Sequence, residues 1–357
     1  MLNPEAAAAL DQLLLWLASV PSPIGEEHVL CNLVQERLAK LPRRPPIRRY
    51  GDSIVVPVCR GRSGPHVALV GHLDTVRTEN GPARIDGDRI YGSGVADMKS
   101  GLALMIALAE AEVGGNVNLT LVFYAREEGP FAENELGPVL DGDAELRAVD
   151  LAVCLEPSDN RLQLGCCGSL HAEVTFVGRT GHSARPWEAD NAVLRAAGFL
   201  GELAARVPEE TILEGLTFRT VTSVTRANDG GRGRNVVPDR FVLNLNHRFA
   251  PIYSVEQAQA QVEALVGGRA ELRFTDRSPA APPNREHPLV DALIAAGVTD
   301  VASKQAWTDV ARFALHGIAA INFGPGENAQ AHQKNESTSL ALMHTGYGIL
   351  QRWLAAL

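Results

Sequence analysis

Two histidines and a run of carboxylates stand where chemistry can be done. His72 and Asp74 follow the apolar run HVALVG, Asp97 lies in the glycine-rich YGSGVADMKSG, and Glu127 and Glu128 follow a run ending at Tyr124. Glu156 follows LAVCL, and His332 sits in GPGENAQAHQKNE. Imidazole nitrogens and carboxylate oxygens are the donors that a borderline divalent ion accepts, and one carboxylate can bridge two ions. Two ions held ~3.5–4 Å apart repel and need such an anion between them. Asp97 is best placed to bridge, because its loop can centre it among the other candidates. Asp74, two residues beyond His72, can hold that imidazole in one tautomer. Glu127 and Glu128 repel as bare neighbours; with one on a metal and the other holding a water, the pair makes chemical sense.

Each residue also has a plainer reading when taken singly. His72 can be a satisfied core or loop histidine, Asp97 the cap of the helix that follows, and the glutamate pair a solvated loop edge. Glu156 can be an ordinary strand exit and His332 a surface side chain. The set, in order and each at an expected strand end, is what points to a two-metal site.

The elements that must position these residues are strands and helices in alternation. His66 to Gly71, Asn118 to Tyr124 and Leu151 to Leu155 read as buried strands, and Met98 to Glu112 as an apolar helix. That pattern predicts an α/β domain with helices on both faces of its sheet, and open α/β sheets bind ligands beyond the carboxyl ends of their strands. The next stretch reads differently: strands at Leu170–Val177, Phe218–Ala227, Val236–Ala250 and Ala270–Asp276, with helices at Asn191–Val207 and Ser254–Val266. The order β-α-β-β-α-β is that of a ferredoxin-like sandwich. Alternation resumes after the proline-rich Pro279–Pro288, with a helix near Leu289–Ala296, a strand near Ala319–Phe323 and a closing helix from Leu340. The expected architecture is a catalytic α/β domain, residues 1–166 and 279–357, interrupted by an inserted α+β domain, residues 167–278.

Composition narrows the partners. The net charge is −9 and the basic residues are scattered, so the footprint of a nucleic-acid or anionic-membrane binder is missing. No run approaches the ~20 apolar residues of a membrane span. The first twenty residues carry Glu5 and Asp11, lack a basic leader and follow helical spacing through Leu13, Leu14, Leu17 and Val20; they are not expected to be a targeting segment. Five cysteines without CxxC spacing suggest a reducing, cytoplasmic compartment. Adjacent Cys166 and Cys167 read as buried small residues near a strand start, or as a strained redox pair.

The strings GHLDTV, YGSGVADMKSG, FYAREEG, LEPS and FGPGENAQAHQKNE together resemble the dizinc deacylase and exopeptidase family. That family includes aminoacylase, carboxypeptidase G, acetylornithine deacetylase and succinyl-diaminopimelate desuccinylase. GHSARPWEADNA, RNVVPD, NHRFAP, WTDVARF and NFGPG look most like its desuccinylase branch. The resemblance implies one zinc on His72, Asp97 and Glu156 and a second on Asp97, Glu128 and His332, with cobalt or manganese able to substitute. It implies Glu127 as general base, Asp74 as partner of His72, and a cis peptide at Asp97-Met98. His182 of TGHSARP would stabilise the oxyanion in the neighbouring subunit's site, in a homodimer made through the inserted domain. Asn235 and Arg248 match substrate-contact positions, although Arg248 can equally be a strand-edge arginine; Arg185 and Gly324 are further substrate-binding candidates.

The implied reaction is hydrolysis of N-succinyl-L,L-diaminopimelate, a step of lysine biosynthesis, with acetylornithine, another N-acyl amino acid or a dipeptide as the alternative. A small anionic substrate needs guanidinium partners, for which Arg185, Arg234, Arg248 and Arg312 are the candidates. Arg126 before the glutamate pair, Cys166 and Cys167 before Gly168, and Arg185 depart from the branch's usual residues and bear on acyl-group preference. A two-metal phosphatase or nuclease is disfavoured, since there is no basic surface and no phosphate-cradling loop.

Overall fold

The computed structural model describes residues 2–112, 115–231 and 233–357. The chain divides into two compact units: Met1–Gly165 with Pro283–Ser303 and Thr308–Leu357, and Cys166–Pro282 with Lys304–Trp307.

The first unit opens with α1 (Pro4–Ser19), capped by the Asn3 side chain accepting from Ala6 N–H at 2.8 Å. Pro4 takes the first helical position, where a missing N–H costs nothing. Leu10, Leu13, Leu14 and Leu17 form its buried stripe. Then come α2 (His28–Ala39), β1 (Arg48–Tyr50), β2 (Ser53–Cys59), β3 (His66–His72), β4 (Arg84–Asp86) and β5 (Arg89–Tyr91). These are followed by α3 (Lys99–Glu110), β6 (Asn118–Tyr124), α4 (Leu136–Gly142), β7 (Leu151–Cys154) and β8 (Leu162–Leu164). β3 pairs in parallel with both β6 and β7. A central strand covered on both faces must be apolar throughout, and Val67 to His72 are all buried. α3 is likewise buried almost all round.

The second unit contains β9 (Gly168–Val177), β10 (Gly181–His182), α5 (Ala192–Arg195), α6 (Ala197–Ala205), β11 (Glu209–Leu213) and β12 (Leu216–Asn228). β13 (Val236–Val237), β14 (Arg240–Phe249), α7 (Val255–Val266) and β15 (Glu271–Ser278) complete it. Its antiparallel sheet runs β11-β12-β14-β9-β15. β14 alternates strictly: Phe241, Leu243, Leu245 and Phe249 belong to the core that Phe199 of α6 and Val262 of α7 share, while Asn244, Asn246 and Arg248 lie on the other face. α7 carries a full capping box between Ser254 and Gln257 and ends at Gly267 with φ +59°.

Two elements of the second unit differ from the sequence reading. The helix expected over Asn191–Val207 is two, divided where Ala196 N–H bonds Val193 O, three residues back, at 3.1 Å. β11 was not expected; it returns into β12 through Glu214 and Gly215, both left-handed at φ +50° and +77°, the geometry of a two-residue hairpin turn.

The chain re-enters the first unit with α8 (Pro288–Ala295), β16 (Val301–Ser303), α9 (Val310–Leu315), β17 (Ala320–Asn322), β18 (Ser337–Ser339) and α10 (Leu340–Ala356). β17 slots beside β7, giving an eight-stranded mixed sheet ordered β1-β2-β6-β3-β7-β17-β8-β16. Lys304–Trp307 belongs to the second unit, where the sequence reading gave it to the first. Cys167 N–H bonds Lys304 O at 3.2 Å, and the Trp307 indole donates to Pro279 O at 3.0 Å. Cys166 and Cys167 are buried and in no disulfide, and burial pushes the Cys167 thiol up to about 11.

Candidate metal centre

β3, β6 and β7 are parallel neighbours, so their carboxyl ends lie side by side. His72 closes β3; Glu127 and Glu128 follow β6, and Glu156 follows β7. Asp97 comes just before α3, and the Asp97-Met98 peptide is cis. His332 comes from the loop ahead of β18 and has φ +62°. Donor atoms of His72, Asp97 and Glu156 lie within 4.8 Å of one another, as do those of Asp97, Glu128 and His332. Asp97 is common to both sets. His72, Glu127 and Glu128 form a third such group.

Hydrogen bonds orient these side chains. His72 Nδ1 is 3.0 Å from the carbonyl oxygen of Asp74, which accepts its proton and aims Nε2 at Asp97 Oδ1, 3.3 Å away. The Asp74 carboxylate does something else: its two oxygens accept the N–H groups of Glu127 and Glu128, at 3.0 and 2.8 Å. Asp74 therefore meets His72 mainly through its backbone and anchors the glutamate pair with its side chain. His332 Nε2 lies 2.9 Å from Glu128 Oε1 and 3.4 Å from Asp97 Oδ2.

The electrostatics ask for a cation. Burial, then the charge of Glu156, pushes the Glu127 carboxyl well up, and burial also raises Glu128. Burial opposes the Asp97 anion, yet hydrogen bonds from His332 and His72 hold its carboxyl well below the usual range. His332 is lifted to about 10 by its bonds to Asp97 and Glu128. Burial opposes a charged His72, but Asp97 and the surrounding carboxylates raise it well above 6.5. Protons on these imidazoles stand where divalent ions would neutralise the same carboxylates. Two triads of oxygen and nitrogen donors sharing one carboxylate fit a pair of such ions.

Two supporting residues escaped the sequence reading. The carboxylate of Glu336, four residues past His332 and 2% exposed, accepts N–H groups from Gly94, Ala96 and Asp97 at 2.8–3.0 Å. Buried Asp309 accepts from the Tyr124 hydroxyl at 2.7 Å and from Asn134 at 2.8 Å, bracketing the loop that carries Glu127. Nothing in residue type or spacing marks these two apart from ordinary acids; only the fold shows what they grip.

One expectation is corrected. Arg312 is not a spare cation for substrate: it is 6% exposed, pairs with Asp309 at 2.6 Å and lies over the Phe131 ring. Gly324 N–H donates to Ser158 Oγ, and its carbonyl accepts from Asn160 N–H and Ser158 Oγ. It is a packing glycine, since a Cβ there would lie 2.3 Å from Leu155 O.

The second unit carries the remaining candidates. β10 and β13 pair His182 with Val236, and Ser183 N–H bonds Asn235 O at 3.0 Å, so His182 and Asn235 share one ribbon. His182 Nδ1 accepts the N–H of Ala184 at 3.0 Å, so a neutral ring carries its proton on Nε2 as a donor. Arg185 is exposed and 3.5 Å from Glu188. Arg248 is half-buried on β14, its Nε donating to Asn246 Oδ1 at 2.8 Å.

Fold and donor sets define a metal-dependent hydrolase of amide bonds. The chain belongs to peptidase family M20/M25/M40, whose profile matches residues 68–356. A Mycobacterium tuberculosis protein provisionally named a succinyl-diaminopimelate desuccinylase is 34% identical over 340 residues, 95% of this chain and 96% of its own. A Corynebacterium glutamicum succinyl-diaminopimelate desuccinylase is 33% identical over 350 residues, 95% of this chain and 94% of its own. Among solved structures, an M20 family metallo-carboxypeptidase from Sulfolobus solfataricus superposes with a TM-score of 0.77 at 16% identity, covering 97% of this chain and 98% of that one. Among the described residues, no helix is long and apolar enough to cross a membrane.

Proposed function

We propose that this protein hydrolyses N-succinyl-L,L-diaminopimelate to succinate and diaminopimelate in the cytoplasm, as a homodimer holding two zinc ions per chain. The observation that carries the reading is the pair of donor triads sharing Asp97, with Glu127 beside them; the similarity to succinyl-diaminopimelate desuccinylases suggests the substrate. His72, Asp97 and Glu156 would hold one ion and Asp97, Glu128 and His332 the other. When bound, the ions supply Lewis acidity to the amide carbonyl and acidify a water.

Glu127 takes the proton of the attacking water and returns it to the leaving amine. Burial and the charge of Glu156 raise its carboxyl well above the ordinary glutamate value, which makes it a stronger proton acceptor than a free glutamate. His182 donates through Nε2 to the developing oxyanion, the form that its Ala184 contact favours. Arg248, Arg185 and Asn235 bind the substrate's carboxylates and backbone-like groups. Dimerisation through the second unit is supported by its exposed Leu194, Val207 and Ile212, each at least 70% exposed, and by the open edge of β11.

The test is hydrolysis of N-succinyl-L,L-diaminopimelate by metal-free protein before and after two equivalents of zinc. Zinc-dependent turnover is expected. A protein that binds two zinc ions yet prefers acetylornithine, another N-acyl amino acid or a dipeptide would overturn the substrate; failure to bind zinc while binding manganese or cobalt would overturn the metal.

A further inference from the structure

The loop after β6 turns at Arg126, which is left-handed at φ +64°. Successive N–H groups at such a turn form a concavity for an anion. Here the protein fills it itself. The N–H groups of Glu127 and Glu128 go to Asp74, and that of Arg126 goes to Glu27 Oε1 at 3.2 Å. Glu27 immediately precedes α2, is 1% exposed, and also accepts Gly25 N–H at 2.8 Å through the same oxygen. Burying a carboxylate on main-chain partners alone is costly, so its placement calls for a reason.

The surroundings supply one. Residues 22–25 are stitched to the exit of β3: Ser22 Oγ donates to Leu73 O at 2.7 Å, Thr75 N–H to Ser22 O at 2.9 Å, and Ile24 N–H to Thr75 O at 3.1 Å. Gly129 presses on Ile24, where a Cβ would come within 2.7 Å of its Cδ1. The segment before α2 thus runs from the His72–Asp74 exit to the Arg126–Gly129 turn, and Glu27 is its polar contact with that turn.

We propose that Glu27 is a positioning residue for the general base: by holding the Arg126 N–H it fixes the turn from which Glu127 projects, completing the grip that Asp74 begins. The proposal rests on Glu127 being the base. A misplacement of about 1 Å at a reacting group can cost on the order of 100-fold in rate, so an anchor one residue before the base is worth a buried carboxylate.

The test compares Glu27→Ala, Glu27→Gln and Glu27→Asp in the full-length, zinc-loaded protein. Glu27→Ala is expected to lower kcat by roughly 10-fold or more, with KM within about 3-fold and bound zinc unchanged. Amide exchange at Arg126 should quicken in the same variant, a readout independent of turnover. Glu27→Gln keeps an acceptor oxygen and should restore kcat and protection to within about 3-fold. Glu27→Asp retracts the carboxylate by about 1.5 Å and should behave like alanine; it carries the test if Glu27→Ala does not fold. A folded, zinc-replete Glu27→Ala or Glu27→Asp with wild-type kcat would overturn the proposal, as would equal kcat losses in the Gln and Ala variants with unchanged exchange at Arg126. Failure of the base assignment shows separately, as turnover surviving in Glu127→Ala.

Discussion

At the residue scale, the site assigns different work to neighbouring carboxylates. Glu127 and Glu128 share a turn, yet Glu128 meets His332 at 2.9 Å while Glu127 has Glu156 as its strongest charged neighbour. Glu127→Ala should therefore leave two ions bound and lower kcat by about 10²–10⁴-fold, the usual worth of a general base; metal analysis beside steady-state kinetics checks both halves. Near-wild-type turnover would remove Glu127 from its role. Glu336 is the converse case, a donor in neither triad but spending its carboxylate on three N–H groups of the Asp97 loop. Glu336→Ala should weaken metal affinity by roughly 10–100-fold, as loss of groups that orient ligands usually does. Chelator competition measures this directly, and unchanged affinity would show that the loop holds its shape without the anchor.

At the element scale, stability depends on contacts remote from the chemistry. Arg48 of β1 reaches past α4 to Asp143, with Nε at 2.6 Å and a second bond at 3.0 Å. Burial opposes the Asp143 anion, but the Arg48 bond holds its carboxyl below the usual range. A depressed carboxyl contributes stability that is complete above its unfolded value of about 3.9 and is lost as pH falls through the folded one. Arg48→Met should cost about 2 kcal/mol near neutrality, less than the ~3–5 kcal/mol of a fully buried pair because Arg48 keeps 26% of its surface. The gap between variant and wild type should narrow below pH ~4 in urea titrations; a gap independent of pH would place the cost in packing.

Elements also show how far the sequence could be read. Strands such as Asn118–Tyr124 were legible because burial on both faces demands an unbroken apolar run. The candidate donors His72, Glu127, Glu128 and Glu156 were legible because they sit at or just beyond the ends of such runs, and Asp97 and His332 through the motifs that carry them. β11 was not, since an exposed edge strand has no periodicity to enforce, and its Glu214-Gly215 turn was the available signal. Arg312 was misjudged for a related reason: a motif shows a guanidinium but not the Asp309 that occupies it. Glu27 and Glu336 grip main-chain N–H groups, and backbone geometry leaves no mark on residue type.

At the scale of the whole molecule, the proposed chemistry needs two copies, because His182 is taken to serve the site of a partner. Dimerisation and reach in trans can be tested together with two inactive proteins. Glu127→Ala lacks the base and keeps His182; His182→Ala keeps the base and lacks the oxyanion donor. Mixed and allowed to exchange subunits, half of the dimers pair one of each. Within such a dimer one site has both defects, and the other has its own Glu127 and the partner's intact His182. Activity should therefore return to about a quarter of the wild-type level, from parents that are each nearly inactive. No recovery, in a mixture shown to exchange subunits, would mean that base and donor act within one chain. Ile212→Glu offers an independent check, since a charge on that exposed β11 side chain should oppose association. If sedimentation shows monomers with normal bound zinc and turnover falls with the dimer fraction, the second copy is part of the catalyst; full activity in the monomer would refute that.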